Sequence, residues 1–236
     1  MSRRALVLGG SGAVGSAVVR ALVERGVDVV FTYLLAEERA ASLARETGAR
    51  AVQIDLFFGE RIEVFLRELV KDGAAPDVLI HCAGTTVNKS IGDLLLDSWD
   101  EAIDVGGRAA FIAVQALAPS MAARGGGDIV FVGALDRAQS LPLPIEFAAV
   151  QGMLSAMAMA MAKELGPRGI RVNVMALGLL DEGIGQQLDR QLIADYLAFS
   201  ALRRLGTAAE AARAIAWLAL ENTYLNGKTI PVNGGI

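Results

Sequence analysis

Along this chain, short runs of β-branched and aliphatic residues alternate with longer stretches in which apolar positions recur every three or four residues. "RALVL", "VDVVFT", "RAVQI", "DVLIH", "DIVFV", "IRVNVM" and "KTIPV" have strand length, and their near-continuous hydrophobicity suits strands buried on both faces. The segments between them predict helices near 14–25, 36–47, 60–72, 97–123, 146–165 and 207–220. Strands alternating with helices in this way predict an α/β fold, a parallel sheet with helices on both faces. One segment breaks the rhythm: "LGLLDEGIGQQLDRQLIADYLAFSALRRLG", 177–206, lies between the sixth strand and the last helix. Long excursions in compact domains are commonly lids or binding loops, so a substrate-side flap is expected there. The other reading is a surface helix covering the sheet edge. With no internal repeat and no linker, residues 1–236 are expected to form a single domain.

Composition narrows the function. Hydrophobic residues make up 53% of the chain and charged ones 20%, which excludes a disordered chain; much of the apolar share is alanine, so helices should pack closely. The net charge is −4 and no basic run exceeds a pair, so the phosphate attraction that nucleic-acid binding needs is missing. Cys82 and His81 are the only residues of their types, which removes a disulfide framework and the usual zinc sites. No metal is expected. No stretch reads as a signal peptide or as a run of about 18 apolar residues, so a cytoplasmic protein away from membranes is expected.

"LVLGGSGAVGSAVVRAL" places Gly9, Gly10, Gly12 and Gly15 between the first strand and the first helix. Gly10-x-Gly12-x-x-Gly15 satisfies the dinucleotide fingerprint in its strand-turn-helix context, where glycines permit a tight turn and backbone N–H groups approach a pyrophosphate. Glycines used only for the turn and for packing are the alternative. A carboxylate at the end of the second strand often binds the adenosine ribose 2′-OH. Here Thr32, Tyr33 and Leu34 stand at that place, so NAD is not supported. NADP is favoured only by the missing acid, since the nearest basic residue, Arg39, sits in a helix that solvent alone could account for; binding no cofactor at all is the other expectation.

From end to end the chain resembles the short-chain dehydrogenase/reductase family, and within it the 3-oxoacyl-[acyl carrier protein] reductases. "LVLGGSGAVG" looks like the cofactor loop, "QIDL" like the adenine-contact turn and "GDIVFVGA" like the fifth strand. "AKELGPRGIRVNVMALG", "LRRLGTAAEAARAIAWLA" and "LNGKTIPVNGG" look like the family's C-terminal half. The resemblance implies a seven-stranded Rossmann sheet in order 3-2-1-4-5-6-7. It also implies cofactor contacts at Gly9, Ser11, Gly12, Val14, Gly15, Asp55, Leu56, Ala83 and Gly84.

In that family an Asn, a Ser, a Tyr and a Lys carry catalysis: the phenol gives a proton to the carbonyl oxygen as the nicotinamide delivers hydride, the ammonium lowers the phenol pKa, and the serine polarises the carbonyl. Aligning the motifs puts Asp104, Ala134, Phe147 and Gln151 at those positions, so none is intact. A positioned general acid contributes about 10²–10⁴-fold, and losses within one catalytic unit are not additive. Other departures are His81-Cys82 for Asn-Asn, Leu177-Gly178 for Pro-Gly, Glu182 near the Thr that follows, and Ala13 for the middle loop glycine, for which Gly12 compensates. Substitute chemistry could come from Tyr196, the one of Tyr33, Tyr196 and Tyr224 placed in the flap, or from Asp136 or Lys89, against the reading that these are solvated surface residues. His81 is expected to be packed or capping. Cys82, with no basic neighbour, is expected to be an inert buried thiol.

Three functions follow from the resemblance. The first is a non-catalytic subunit pairing with an active NADPH-dependent 3-oxoacyl reductase of fatty-acid or polyketide synthesis, or with itself, through helices about 97–123 and 146–165. Met153, Met157, Met159 and Met161 among alanines make the second helix an adaptable apolar surface. An acyl carrier protein is a further expected partner. The second is a reductase with an unusual proton donor, and the third a dinucleotide-binding sensor.

Overall fold

A computed structural model of the chain describes residues 3–134, 143–183 and 190–236. Strands β1 (Arg4–Leu8), β2 (Asp28–Tyr33), β3 (Arg50–Gln53), β4 (Val78–His81), β5 (Gly127–Ala134), β6 (Ile170–Leu177) and β7 (Thr229–Val232) pair in parallel, in order β3-β2-β1-β4-β5-β6-β7. The helices are α1 (Ala13–Val23), α2 (Glu37–Thr47), α3 (Gly59–Lys71), α4 (Leu96–Ile103), α5 (Ala109–Ala123), α6 (Ile145–Leu165), α7 (Arg190–Phe199) and α8 (Ala208–Leu220). Period-two alternation divides the central strands between two cores. Leu6 and Leu8 of β1 face a core with α3, α5 and α6, while Ala5 and Val7 face α1, α2 and α8. Both faces of the sheet are therefore covered, as the continuous apolar runs require.

The helix expected over 97–123 is continuous but not uniform. A π-helical turn, Asp104–Arg108, joins α4 to α5. Its cause lies across the interface: a Cβ on Gly106 would come 2.7 Å from Val150 Cγ1, and one on Gly107 2.5 Å from Met153 Sδ. The two glycines let α6 approach, and the widened turn accommodates it; π turns of this kind gather at functional sites. Leu177–Leu180 with Glu182 and Gly183 faces the cleft described below, and α7 packs down through a buried tyrosine, Tyr196.

Helix α6, continued to Arg168, is long and apolar enough to cross a membrane by length and composition. Val150, Leu154, Ala158, Ala162 and Leu165 nonetheless form one buried stripe against the sheet, as an ordinary core helix would. Its other faces remain largely uncovered, with Met159 51% exposed.

At the end of the sheet away from the cleft, Asp128 of β5 is 2% exposed. Its carboxylate accepts a forked pair from Arg171 Nε and Nη2 (2.8 and 2.9 Å) on the neighbouring β6, and a third bond from Arg3 Nη2 at 2.7 Å. Removing the buried carboxylate leaves Arg3 and Arg171, whose side chains are partly exposed, without their acceptor, so the loss is that of hydrogen bonds to a charged group, about 1.5–3 kcal/mol. Asp128→Ala should therefore lower the unfolding free energy by about that amount in urea titrations with an unchanged m-value.

Candidate active-site cleft

The cleft opens above the carboxyl ends of β1, β4, β5 and β6, at the point where the strand order reverses. Ligands of open α/β sheets bind at such a crevice. It holds about 900 Å³. The glycine turn forms one end. Gly9 (φ +78°) lies against β4's exit, where a Cβ would come 2.9 Å from Ala83 N and Cα; one on Gly15 would run into the Gly9 carbonyl. A Cβ on Gly12 would meet nothing closer than the Gly9 oxygen at 3.5 Å, so its backbone is open for a ligand's approach. Thr32 holds the turn to β2: its hydroxyl accepts from Gly9 N at 3.0 Å and its carbonyl from Gly10 N at 2.8 Å. Thr32 is therefore structural, not a ribose contact.

Helix α1 starts at this turn with no side-chain cap and no acid in its first turn. Its leading N–H groups are left for an outside anion. Ser11, Gly12, Val14, Gly15, Ala83 and Gly84 all line the cleft. Asp55 and Leu56 do not. Asp55 faces a separate shallow recess with Leu34 and Arg61, its Oδ1 accepting from Phe57 N at 3.0 Å, and Leu56 is buried in the core. Arg39 does reach the cleft, beside Ser42, and has no ion-pair partner among the described residues. The turn, the open Gly12 face, the helix end and Arg39 together fit a dinucleotide phosphate group.

The other end is apolar. Ala134, Phe147 and Gln151 line it, with Val132, Val150, Leu154 and Leu177 around them. Gln151 Oε1 accepts from Ala134 N at 2.9 Å. Only the amide oxygen can take a bond from that N–H, so the orientation follows from chemistry. The Gln151 amide nitrogen is left as the donor on this wall, Phe147 adds none, and Ala134 offers only a methyl group.

Asp104 does not take part. It is buried, with its carboxylate paired to Arg108 at 2.7 Å, and is absent from the cleft wall. The residue of the π turn that faces the cleft is Gly106, which has no side chain. Asp104, which the resemblance places at the Asn position, thus turns its carboxylate to Arg108 and not to the cleft. The expectation at Tyr196 is corrected. It is 1% exposed, and its hydroxyl donates to Asn233 O at 2.8 Å. Its ring end lies so close beneath Gly178 that a Cβ there would collide with the hydroxyl. Burial pushes its phenol up, while a bond to the Leu179 backbone pulls the other way. It fastens the C-terminal tail and offers no proton to the cleft. Lys89 is exposed and outside the cleft, and Asp136 lies outside the described residues.

One residue that the sequence reading passed over holds the cleft wall. Glu146, immediately before Phe147, is 0% exposed. Its Oε1 accepts from Thr86 Oγ1 (2.9 Å) and Val87 N (3.0 Å), while Oε2 has no partner among the described residues. Thr86 lines the cleft, so Glu146 holds that wall to the start of α6. An acid beside an aromatic gives no sequence signal of burial.

His81 is packed, as expected. Its ring lies fully buried with Nε2 2.9 Å from Gly106 O, so Nε2 carries the proton and donates, and Nδ1 is left without a partner among the described residues. Burial outweighs that bond and lowers its pKa to about 4. Cys82, expected to be buried, is half-buried and lines the cleft, where desolvation still raises its thiol to about 12. The native thiol should react with disulfide reagents at pH 8 far more slowly than after unfolding, and equal labelling rates for native and unfolded protein would contradict this assignment. For His81, the unfolded chain takes up a proton near pH 6.5 that the folded ring refuses until about pH 4. Stability should therefore fall as pH drops through that window, by about 3 kcal/mol from this group. His81→Asn, which keeps a donor for Gly106 and does not titrate, should flatten that part of a pH–denaturation profile.

A family model described as enoyl-(acyl carrier protein) reductase matches residues 10–236. The 3-oxoacyl-[acyl-carrier-protein] reductase of Staphylococcus epidermidis is 28% identical over all of this chain and 99% of its own length. That of Mycobacterium avium is 27% identical over all of this chain and 90% of its own. Among solved structures, the blue fluorescent protein from a metagenomic library, in complex with NADPH, superposes with a TM-score of 0.89 at 30% identity, covering 99% of this chain and 97% of that one. BdcA, also in complex with NADPH, gives 0.88 at 28%, covering 99% and 94%.

Proposed function

The chain belongs to the short-chain dehydrogenase/reductase family, and we propose that within it this protein is a non-catalytic, 3-oxoacyl reductase-like subunit that pairs with an active NADPH-dependent relative in the cytoplasm. One observation carries the reading. Where a carbonyl oxygen would need a proton, the wall consists of Ala134, Phe147 and Gln151, and the Gln151 oxygen is already engaged by Ala134 N. None of these groups titrates near neutral pH, and a donor amide can orient a ligand but not protonate it. Tyr196 offers no replacement, and the Thr86 hydroxyl already donates to Glu146.

The cleft supports a bound dinucleotide better than it supports turnover. When bound, NADPH would supply hydride chemistry; this chain's contribution is to hold it, with the open Gly12 face and the α1 end toward its phosphates and Arg39 toward the 2′-phosphate. NADP is therefore the cofactor we assign, on Arg39 as well as on the missing acid at Thr32–Leu34.

The partner surface is the face of α6 left uncovered by the sheet, with Ala156, Met159 and Ala160 exposed along it. Small residues and adaptable methionines suit close helix approach. A second copy could use the same surface. An acyl carrier protein is the substrate carrier such a complex would serve.

Purified alone, the protein should show no reduction of β-keto thioesters with NADPH, and it should co-purify with an intact reductase from its own genome. Robust turnover by a preparation free of that relative would sink the proposal. Installing Ala134→Ser, Phe147→Tyr and Gln151→Lys together should restore measurable reduction if the cleft has otherwise kept its shape.

A further inference from the structure

The glycine end of the cleft is built for an anion, yet the chain brings a carboxylate of its own, Glu182, into the same cleft. Segment 179–181 is clamped to Gly206: Leu180 forms a parallel bridge with it, Gly206 N donates to Leu179 O (3.0 Å), and Asp181 N donates to Gly206 O (2.9 Å). The clamp delivers the next two residues onto the start of α1. A Cβ at Gly183, where φ is +80°, would sit 3.2 Å from the Cβ of Ala13, the first residue of that helix. Glu182 and Gly183 line the same cleft as Ser11–Gly15. The Arg20 guanidinium of α1 is held in its charged form first by its forked bond to Glu46 (2.7 and 2.8 Å) and, more weakly, by the charge of Glu182.

The charges of the cleft are therefore divided. Arg20 is already paired with Glu46, Glu182 stands at the helix end, and Arg39 is free of ion-pair partners among the described residues at the β2–α2 end. A helix N-terminus favours a negative group. A carboxylate tethered there takes up part of that preference, and it repels a second anion arriving at the same place.

We propose that Glu182 is a specificity-determining residue that opposes a diphosphate at the glycine turn, so that the cleft holds a dinucleotide chiefly by its Arg39 end. The proposal rests on the reading of this cleft as a dinucleotide site. It is independent of whether the protein turns anything over.

The test compares wild type with Glu182→Gln and Glu182→Thr in the full-length protein, by calorimetry or NADPH fluorescence. Two probes are used: NADPH, and adenosine 2′-monophosphate, which lacks the diphosphate. Both variants should bind NADPH about tenfold more tightly at low salt, and the gain should shrink below about twofold in 1 M salt, as screening of an exposed charge requires. Binding of adenosine 2′-monophosphate should not change. Equal NADPH affinity in wild type and variants overturns the proposal, as do a gain shared by both probes, a gain insensitive to salt, or no NADPH binding by any of the proteins. Turnover by the wild type would sink the non-catalytic reading while leaving this comparison intact.

Discussion

The close approach of the Gly9 backbone to Ala83 is the constraint on which the functional half of the molecule depends. It brings the exit of β1 against the exit of β4, and Thr32 of β2 holds the turn in place from the other side. Only a residue without a side chain, in a left-handed conformation, fits there. Once that turn is fixed, α1 must begin pointing at the crevice, its uncapped N–H groups exposed to whatever enters. The reversal of strand order then places β4, β5 and β6 beyond it, so the chemistry of the cleft is decided by which side chains those three exits carry.

What they carry gives the two ends of the cleft different foundations. The end that would hold phosphate owes its form to backbone packing, which cannot change without disturbing the sheet. The other end depends on individual side chains, and Ala134, Phe147 and Gln151 line it without a titratable group.

The sequence made the sheet legible because parallel strands covered on both faces must be apolar along their length. It made the glycine turn legible because no other residues fit. That Ala134, Phe147 and Gln151 would stand together was legible for a related reason: they sit at fixed distances from recognisable strand and helix ends, and all three line the cleft. That Asp104 turns to Arg108 was not legible, because it stands in a π turn whose Gly106 and Gly107 lie against α6, far along the chain. Tyr196 was misread because its partner, the carbonyl of Asn233, lies in the C-terminal tail. Arg39 looked like any solvated helix residue until the fold placed it at the rim of the cleft. Glu146 carried no signal of burial, since a lone acid is usually exposed.

The bond from Ala134 N to Gln151 Oε1 has a consequence for any substitution at 151. Lysine has no acceptor, so Gln151→Lys by itself would leave a strand-end N–H facing an ammonium group, and a polar group stranded in this way typically costs about 1–3 kcal/mol. One amide thus serves two surfaces: its oxygen closes the end of β5, and its nitrogen is the donor that the cleft wall presents. Position 151 cannot change its chemistry toward the cleft without unfastening the strand.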